Sequence, residues 1–244
     1  MKKAIARLPL VDKVTFSGAV PGEEVATFLS NRRKSDALKQ NRLYEMLVCD
    51  PDYIDAYGLQ LVAGRGFSED YGDDVNKLVV NESAVRNLGI ASNEEALGEE
   101  IEVECTDAPM QIIGVVKDYH QQALNKNYTP IMLIHKDKIG WLPQRYISIV
   151  MKSGDPKELV SQVEEIWHRY FEDSSYDFFF LDQFFDHQYR QDEVFGVMIG
   201  CFTGLAIFIS CLGLWVLVMF SCTTRTKEMG IRKVLGATRW NLFY

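Results

Sequence analysis

The sequence predicts an α+β domain in one lobe or two, followed by a long membrane-crossing helix and a short amphipathic helix. Two observations predict this fold class. The first 180 residues alternate short apolar runs with turn signals and short helix signals. From Val194 through Thr224 there is no charged residue. As a helix this run would extend roughly 45 Å, which is enough to cross a hydrocarbon core of about 30 Å.

A buried core helix of a soluble protein is the alternative for the uncharged run. We disfavour it, because helices of soluble proteins rarely run this long without a charge. The prediction divides the chain into an extracytoplasmic domain (1–180), a stalk helix (181–193), a membrane helix (194–224) and an amphipathic segment (225–244).

Strands are predicted from apolar alternation or from short apolar runs bounded by Gly, Pro, Asn and Asp. The predicted strands are 11–17, 43–49, 77–80, 100–104, 110–116, 131–135, 146–151 and 178–180. Between the first two, the polar stretch 30–40 is interpreted as a solvated loop or hairpin tip. Such strands, interspersed with short helices, predict a mixed and mostly antiparallel sheet.

Helices are predicted from caps and periodicity. Residues 2–8 form the first, and Asp50-Pro51-Asp52-Tyr53 starts a second that ends by Gly58. Asn81 is the N-cap of a third helix, closed by Gly89. A fourth begins at Asp155-Pro156 and runs to about residue 170. From residue 181 a helical pattern resumes without Gly or Pro before Gly196, so the stalk and the membrane helix should be continuous.

The sign of the charge reverses across the uncharged run. The acids before it are Glu172, Asp173, Asp177, Asp182, Asp186, Asp192 and Glu193, against Arg190 alone. The bases after it are Arg225, Lys227, Arg232, Lys233 and Arg239, against Glu228 alone. Lys and Arg mark the cytoplasmic flank of a membrane span, so the C-terminal segment is predicted to be cytoplasmic and residues 1 to about 190 extracytoplasmic.

This orientation requires an export signal that the first residues do not provide. We therefore expect another membrane helix upstream of Met1 in the natural protein, and a continuation beyond Tyr244. The alternative is that Met1 is the natural start and that the domain is cytoplasmic, which would break the charge bias.

No chemistry-bearing motif stands out in the domain. The histidines lie in no metal-ligand pattern, and there is no nucleophile signature. Gly64-Arg65-Gly66 and the acids 69–74 are interpreted as turn and solvated loop rather than as a phosphate or Ca²⁺ site. Asp182 and Asp186 are one helical turn apart and are interpreted as acids on a solvated helix face rather than as a metal or catalytic pair. The segment 117–120 after a strand is interpreted as a structural turn. The prediction is that the chain is not an enzyme and has no catalytic, cofactor or metal residues of its own.

The net charge of −8 argues against a nucleic-acid partner. Cys49 and Cys105 are the cysteines outside the uncharged run and its end. Two free, half-buried thiols are the expected state, with a disulfide in an oxidising compartment as the alternative.

The segment after the uncharged run combines an apolar stripe with basic residues. Ile231, Val234, Leu235, Thr238 and Leu242 fall on one stripe of a helix, and arginines seven residues apart lie about a quarter-turn away. This arrangement suits a helix at a membrane interface that also meets a protein partner. Glu228 precedes Arg232 by four residues, the favourable order for a helical ion pair. Ordinary topogenic charge without a partner is the alternative.

These residues carry a resemblance to a known family. Residues 202–214 (FTGLAIFISCLGL) and 225–237 (RTKEMGIRKVLGA) resemble the membrane subunits of bacterial ABC transporters of the MacB/FtsX type. Three upstream stretches, 52–59 with Gly64-Arg65, 80–84 and 113–120, resemble the extracytoplasmic domain of that family more loosely. Met229 stands where Ile is usual, and Trp215-Val216 stands where a small residue is common.

The resemblance implies a permease of the inner membrane with its large domain between a first and a second membrane helix. It implies a partner ATPase that binds the ATP, a second permease copy or half, and contact with membrane lipid. The function implied is the relay of ATP-driven motion to the periplasmic domain, for export or extraction of a substrate. The residues predicted to couple to the ATPase and the membrane are Arg225, Lys227, Glu228, Arg232, Lys233 and Arg239. A membrane-anchored sensor with an extracytoplasmic ligand-binding domain is the alternative.

Overall fold

The computed structural model describes residues 1–36, 40–72, 74–122, 127–172 and 174–235. Its strands are β1 (Val11–Ser17), β2 (Phe28–Arg33), β3 (Arg42–Cys49), β4 (Leu61–Gly64), β5 (Lys77–Asn81), β6 (Glu100–Val103), β7 (Met110–Val116), β8 (Ile131–His135) and β9 (Tyr146–Met151). Its helices are α1 (Lys2–Ile5), α2 (Tyr53–Ala56), α3 (Glu82–Asn87), α4 (Pro156–Tyr170) and α5 (Leu181–Val234), with a 3₁₀ turn at Asp74–Asn76. The chain divides into a unit of residues Met1–Leu181 and a unit of residues Asp182–Tyr244.

The sheet of the first unit closes on itself. Its hydrogen-bonded order is β2-β6-β7-β5-β8-β3, and β3 pairs again with β2, so six strands form a ring. β1 extends the sheet from β3 and pairs with β9, and β4 pairs with β7. The β3–β8 and β5–β7 pairs are parallel and the other recorded pairs are antiparallel. The prediction of a mixed, mostly antiparallel sheet is confirmed, and the unit is one body rather than two lobes.

Three apolar clusters hold the first unit together. One packs α3 against residues of the strand ring, including Tyr44, Met46, Leu78, Ile112 and Met132. A second gathers α2 with other ring residues such as Leu47, Val79 and Leu133. Successive residues of β3 and β8 therefore belong to different clusters on opposite faces of the sheet, because side chains alternate along a strand.

The third cluster joins the beginning of the unit to its last helix. Ile5 of α1 packs with Leu159, Val163 and Ile166 of α4 and with residues of β1 and β9. Asp155 caps α4, where its carboxylate accepts a hydrogen bond from the Lys157 N–H at 2.9 Å. The helix predicted from Asp155-Pro156 to about residue 170 is confirmed, and its last residue, Tyr170, is exposed.

An ion cluster also fixes α1 to the sheet. The Lys2 ammonium pairs with the carboxylates of Asp50 and Asp52, and Thr15 Oγ1 donates to Asp50 Oδ1 at 2.5 Å. Asp50 is buried, so these bonds compensate the cost of taking its charge out of water. Helix α1 itself ends at Ile5, earlier than predicted.

Two sequence predictions about polar and aromatic stretches are wrong. Residues 30–33 belong to β2 rather than to a solvated loop. Leu29 and Asn31 are buried, while Arg32 pairs with Glu102 of β6 and Arg33 pairs with Glu99 just before it. The prediction fails because the polar side chains of this stretch suggested solvent, whereas Arg32 and Arg33 form ion pairs with residues in or next to the neighbouring strand. Residues 178–180 form no strand; their rings lie among neighbouring aromatic residues instead.

Candidate membrane and coupling segment

Helix α5 contains the apolar segment predicted from the sequence. Val194–Lys227 is long and apolar enough to cross a membrane. Its most apolar 18 residues have a mean hydropathy of 2.4, and none of them is buried. At about 1.5 Å per residue its 34 residues extend about 50 Å. Large apolar side chains such as Phe202, Leu205 and Trp215 are more than half exposed. This exposure fits a helix surface made for lipid or for other apolar helices, not for water.

Several hydroxyl groups of this helix donate hydrogen bonds to its own backbone. Ser210 Oγ donates to the Ala206 carbonyl at 2.9 Å, Thr224 Oγ1 to Phe220 at 3.0 Å, and Thr226 Oγ1 to Cys222 at 2.7 Å. A polar group without a partner costs several kcal/mol in hydrocarbon, in order of magnitude. The hydroxyls therefore do not prevent this helix from entering a bilayer.

A glycine face on α5 was not predicted. Gly196, Gly200 and Gly204 are four residues apart and therefore lie on one side of the helix. A Cβ added at each would meet no heavy atom within 4 Å. Glycines with this spacing allow the backbones of two membrane helices to approach closely. The signal was visible in the sequence as a repeated small-residue spacing.

The basic segment continues the same helix. Arg225 and Lys227 are exposed, and the backbone stays helical to Val234. Ile231, Val234 and Leu235 of the predicted apolar stripe are 63%, 88% and 81% exposed. The apolar face is thus open among the described residues.

Several residues of the predicted coupling set lie outside the description. The side chains of Glu228, Arg232 and Lys233 are outside the described residues, as are Arg239 and the stripe residues Thr238 and Leu242 as a whole. The expected Glu228–Arg232 ion pair stays a prediction.

In the first unit, the turn predicted at Gly64-Arg65-Gly66 is wrong: Gly64 ends β4, residues 65–66 follow it without a turn, and Arg65 forms an ion pair. The Arg65 guanidinium binds the Asp74 carboxylate through two hydrogen bonds of 2.7 Å, and it lies 4.0 Å from the centre of the Tyr71 ring. Ser68 N–H also donates to Asp74. The hydrogen bonds from Arg65 hold the pKa of Asp74 below its ordinary value. Asp74 is buried, so its assignment to a solvated loop is wrong.

The segment 117–120 has a structural role, as predicted. The Asp118 carboxylate accepts hydrogen bonds from the Ser83 N–H at 2.8 Å and the Ser83 hydroxyl at 2.9 Å, and it pairs with Arg86. It therefore ties the loop after β7 to α3.

Cys49 is buried and Cys105 exposed, and both are free. Burial raises the pKa of the Cys49 thiol. The described residues contain no group of three His, Cys, Asp or Glu side chains that could hold a metal ion.

A closed, mixed sheet followed by an exposed apolar helix and a basic helical end defines a class of protein: a membrane protein with a substantial α+β domain before its span. Comparison with protein families is more specific. The MacB-like periplasmic core domain matches residues 3–166, and the FtsX-like permease C-terminal region matches residues 200–244. The chain belongs to the MacB/FtsX type of ABC transporter permease.

Individual relatives are distant. The ABC transporter permease YvrN of Bacillus subtilis (strain 168) is 22% identical over 210 residues, which are 78% of this chain and 49% of YvrN. The macrolide export ATP-binding/permease protein MacB of Aggregatibacter actinomycetemcomitans is 26% identical over 203 residues, which are 78% of this chain and 30% of that protein. The chain thus spans half or less of these relatives.

The fold has a solved counterpart. The crystal structure of the extracellular domain of YknZ, a noncanonic ABC-type transporter from Gram-positive bacteria, aligns with 70% of this chain and 82% of its own length. The TM-score is 0.52 at 16% sequence identity. The α+β fold class predicted from the sequence is therefore confirmed.

Proposed function

We propose that this chain is part of the membrane subunit of an ABC transporter and relays the ATP-driven motion of a partner ATPase to its extracytoplasmic domain. The relayed motion would serve the export or extraction of a substrate. In this proposal the chain performs no chemistry, the partner subunit binds ATP, and a second permease copy or half completes the transporter.

One observation carries the proposal. The FtsX-like match begins within the apolar span and includes the basic segment, so the family relationship covers the part of the chain where a cytoplasmic partner would bind. Arg225 and Lys227 are exposed at the end of the span. Two cations at this position also suit the cytoplasmic flank of a membrane helix, which supports placing residues 1 to about 190 outside.

The continuity of α5 supports the relay. The helix runs from Leu181 to Val234 without interruption, through the whole apolar span and into the basic segment. A helix with all its backbone hydrogen bonds is stiff along its axis, so a displacement or rotation at the basic end would reach the other end. The family match favours this function over a sensor that signals inward.

The test uses the full-length permease assembled with its ATPase in proteoliposomes. Charge reversal at Arg225 and Lys227, and in a second variant at Glu228 and Arg232, should abolish ATP-driven action on the extracytoplasmic side. The residual ATP hydrolysis of the ATPase should remain. Lys152→Glu is the matched control, because Lys152 is an exposed cation of the first unit and should tolerate reversal. Unchanged coupling in both charge-reversed variants would remove the assigned role of the segment.

A further inference from the structure

Five aromatic rings form a continuous array within residues 167–180 of the first unit, in the last turn of α4 and the chain that follows it. We call Trp167, Phe171, Tyr176, Phe178 and Phe180 the aromatic surface. The ring centres of Trp167 lie 4.8 Å from Phe171 and 6.0 Å from Tyr176. Tyr176 is 5.7 Å from Phe178, and Phe178 is 5.8 Å from Phe180. Each ring therefore touches the next.

The aromatic surface is fixed on one side and open on the other. Tyr176 packs against the core cluster of α1, β1 and α4. By contrast, Phe178 is 53% exposed, Phe171 43% and Phe180 36%. Single exposed apolar residues are ordinary, but a contiguous array on an ordered base marks an interaction site. Aromatic side chains also dominate the binding energy of protein interfaces.

The surroundings of the array are acidic. Glu172 and Asp177 lie within the stretch and are exposed. Glu164 of α4 is close enough to Tyr176 to act on it electrostatically, and burial followed by this negative charge raises the pKa of the Tyr176 hydroxyl. The basic residues of the stretch, His168 and Arg169, lie against Glu164 and Glu165 at 4.0 and 3.4 Å. The exposed carboxylates of Glu172 and Asp177 thus lie next to ring residues of the aromatic surface in the chain.

We propose that the aromatic surface binds a basic polypeptide segment of a partner protein. Ring faces carry negative potential and attract Lys and Arg side chains placed above them. Carboxylates beside the rings would pair with the same cations and orient the segment. A single small cation covers one ring, whereas an array of five rings accommodates several side chains of one polypeptide.

Two other occupants fit less well. A second copy meeting the surface with its own aromatic surface would bring like charges together, which is unfavourable. An anionic bilayer surface would be repelled by the same carboxylates.

The test measures peptide binding to the full chain in nanodiscs of neutral phosphatidylcholine. The probe is a fluorescent 16-residue amphipathic peptide of Lys and Leu, and a Glu/Leu peptide is the charge control. The wild type should bind the Lys/Leu peptide and not the Glu/Leu peptide. Phe178→Ser with Phe180→Ser should weaken binding at least 10-fold, and Glu172→Lys with Asp177→Lys at least 5-fold. Trp141→Ser is the matched control, since Trp141 is a 60% exposed ring outside the array, and it should change binding less than twofold.

Several outcomes would overturn this proposal. Equal binding by wild type and the double Phe variant is one, provided that thermal unfolding shows both to be folded. Equal binding of the two peptides is another. Loss of self-association in the Phe variant without peptide binding would assign the surface to a second copy, and tighter binding to anionic vesicles than to neutral ones would assign it to lipid. The inference rests on the extracytoplasmic placement in the proposed function. Because no ATPase is present, its failure would leave the coupling proposal untouched.

Discussion

Arg65 and Asp74 form a bidentate ion pair in which both hydrogen bonds measure 2.7 Å and the carboxylate is almost fully buried. Replacing Asp74 by Asn removes the charge and leaves Arg65 without its partner. We expect Asp74→Asn to lower the free energy of unfolding of residues 1–181 by about 2 kcal/mol at neutral pH, because hydrogen bonds to charged groups contribute about 1.5–3 kcal/mol. Urea unfolding of the isolated unit measures this.

The difference in unfolding free energy between wild type and Asp74→Asn should depend on pH, and the shifted pKa of Asp74 sets the direction of that dependence. The pKa of Asp74 is lower in the folded state than its ordinary value of 3.8. The stabilisation is therefore fully present above the unfolded pKa and is lost as the pH falls through the folded pKa. The difference between wild type and Asp74→Asn should be constant from pH 7 to about pH 5 and should shrink below about pH 4. A difference that does not change with pH would show that the charge of Asp74 is not what stabilises the loop.

Tyr44 lies fully buried among core residues, and among the described residues its hydroxyl has no hydrogen-bond partner. Tyr44→Phe removes a buried polar group that gains nothing, so we expect the free energy of unfolding to rise by about 0–1 kcal/mol. Burial raises the pKa of Tyr44 to about 12, which means that the folded state resists ionisation.

The same residue should affect unfolding at alkaline pH. Because the pKa of Tyr44 is higher in the folded state than in the unfolded state, its ionisation costs no stability below about pH 10 and lowers the free energy of unfolding as the pH rises towards 12. Tyr44→Phe should therefore reduce the loss of stability between pH 9 and 11, measured by urea midpoints. Other tyrosines also ionise there, so the useful quantity is the difference between the variant and the wild type. Parallel curves would contradict the prediction.

Gly114 and Gly64 allow β7 and β4 to approach closely. A Cβ added at Gly114 would lie 2.1 Å from the carbonyl oxygen of Arg65, and one at Gly64 would lie 2.1 Å from that of Ile113. Both obstacles are backbone atoms, which cannot turn away. We expect Gly114→Ala to destabilise the unit by at least about 2 kcal/mol, because overpacking costs about 1–3 kcal/mol even where neighbours can adjust.

Gly140 is the matched control for this substitution, because a Cβ there would meet no atom within 4 Å. Thermal unfolding of Gly114→Ala and Gly140→Ala should separate them clearly. Equal melting temperatures would mean that the contact between β4 and β7 is not required.

The sequence predicts local features of this domain better than features formed by distant residues. Asn81 was identified as an N-cap, and its Oδ1 does accept the Ala84 N–H at 2.9 Å. The same oxygen also accepts the N–H of Ile131 at 3.0 Å. That contact joins residues 50 positions apart, and no local pattern reports it.

The errors have the same physical origin. Asp74 was assigned to solvent because its neighbours are acidic, and its buried state depends on Arg65 nine residues earlier. The closure of the sheet through β2 depends on pairing with β6, in which Arg32 lies opposite Glu102, 70 positions later in the chain. The candidate membrane span, in contrast, follows from composition and length alone, and the proposed coupling segment from its resemblance to a family. Neither needs a distant partner to be recognised.

The continuity of α5 gives the last prediction. Inserting Gly-Ser-Gly-Ser between Gln183 and Phe184 would interrupt the helix before the apolar span, since Gly costs about 1 kcal/mol per residue in a helix interior. If α5 relays motion, the insertion should abolish the ATP-driven response of the extracytoplasmic domain and spare ATP hydrolysis. The readout is a fluorescent label on Cys105, the exposed thiol of that domain, with the exposed Cys201, Cys211 and Cys222 of the span replaced by Ser.

The matched control inserts seven helix-forming residues at the same place. Seven residues turn the helix through almost two full turns, about 700°, so they preserve both its continuity and the direction of its faces. The control should keep a substantial part of the response. A normal response with the flexible insertion would show that motion does not travel along this helix.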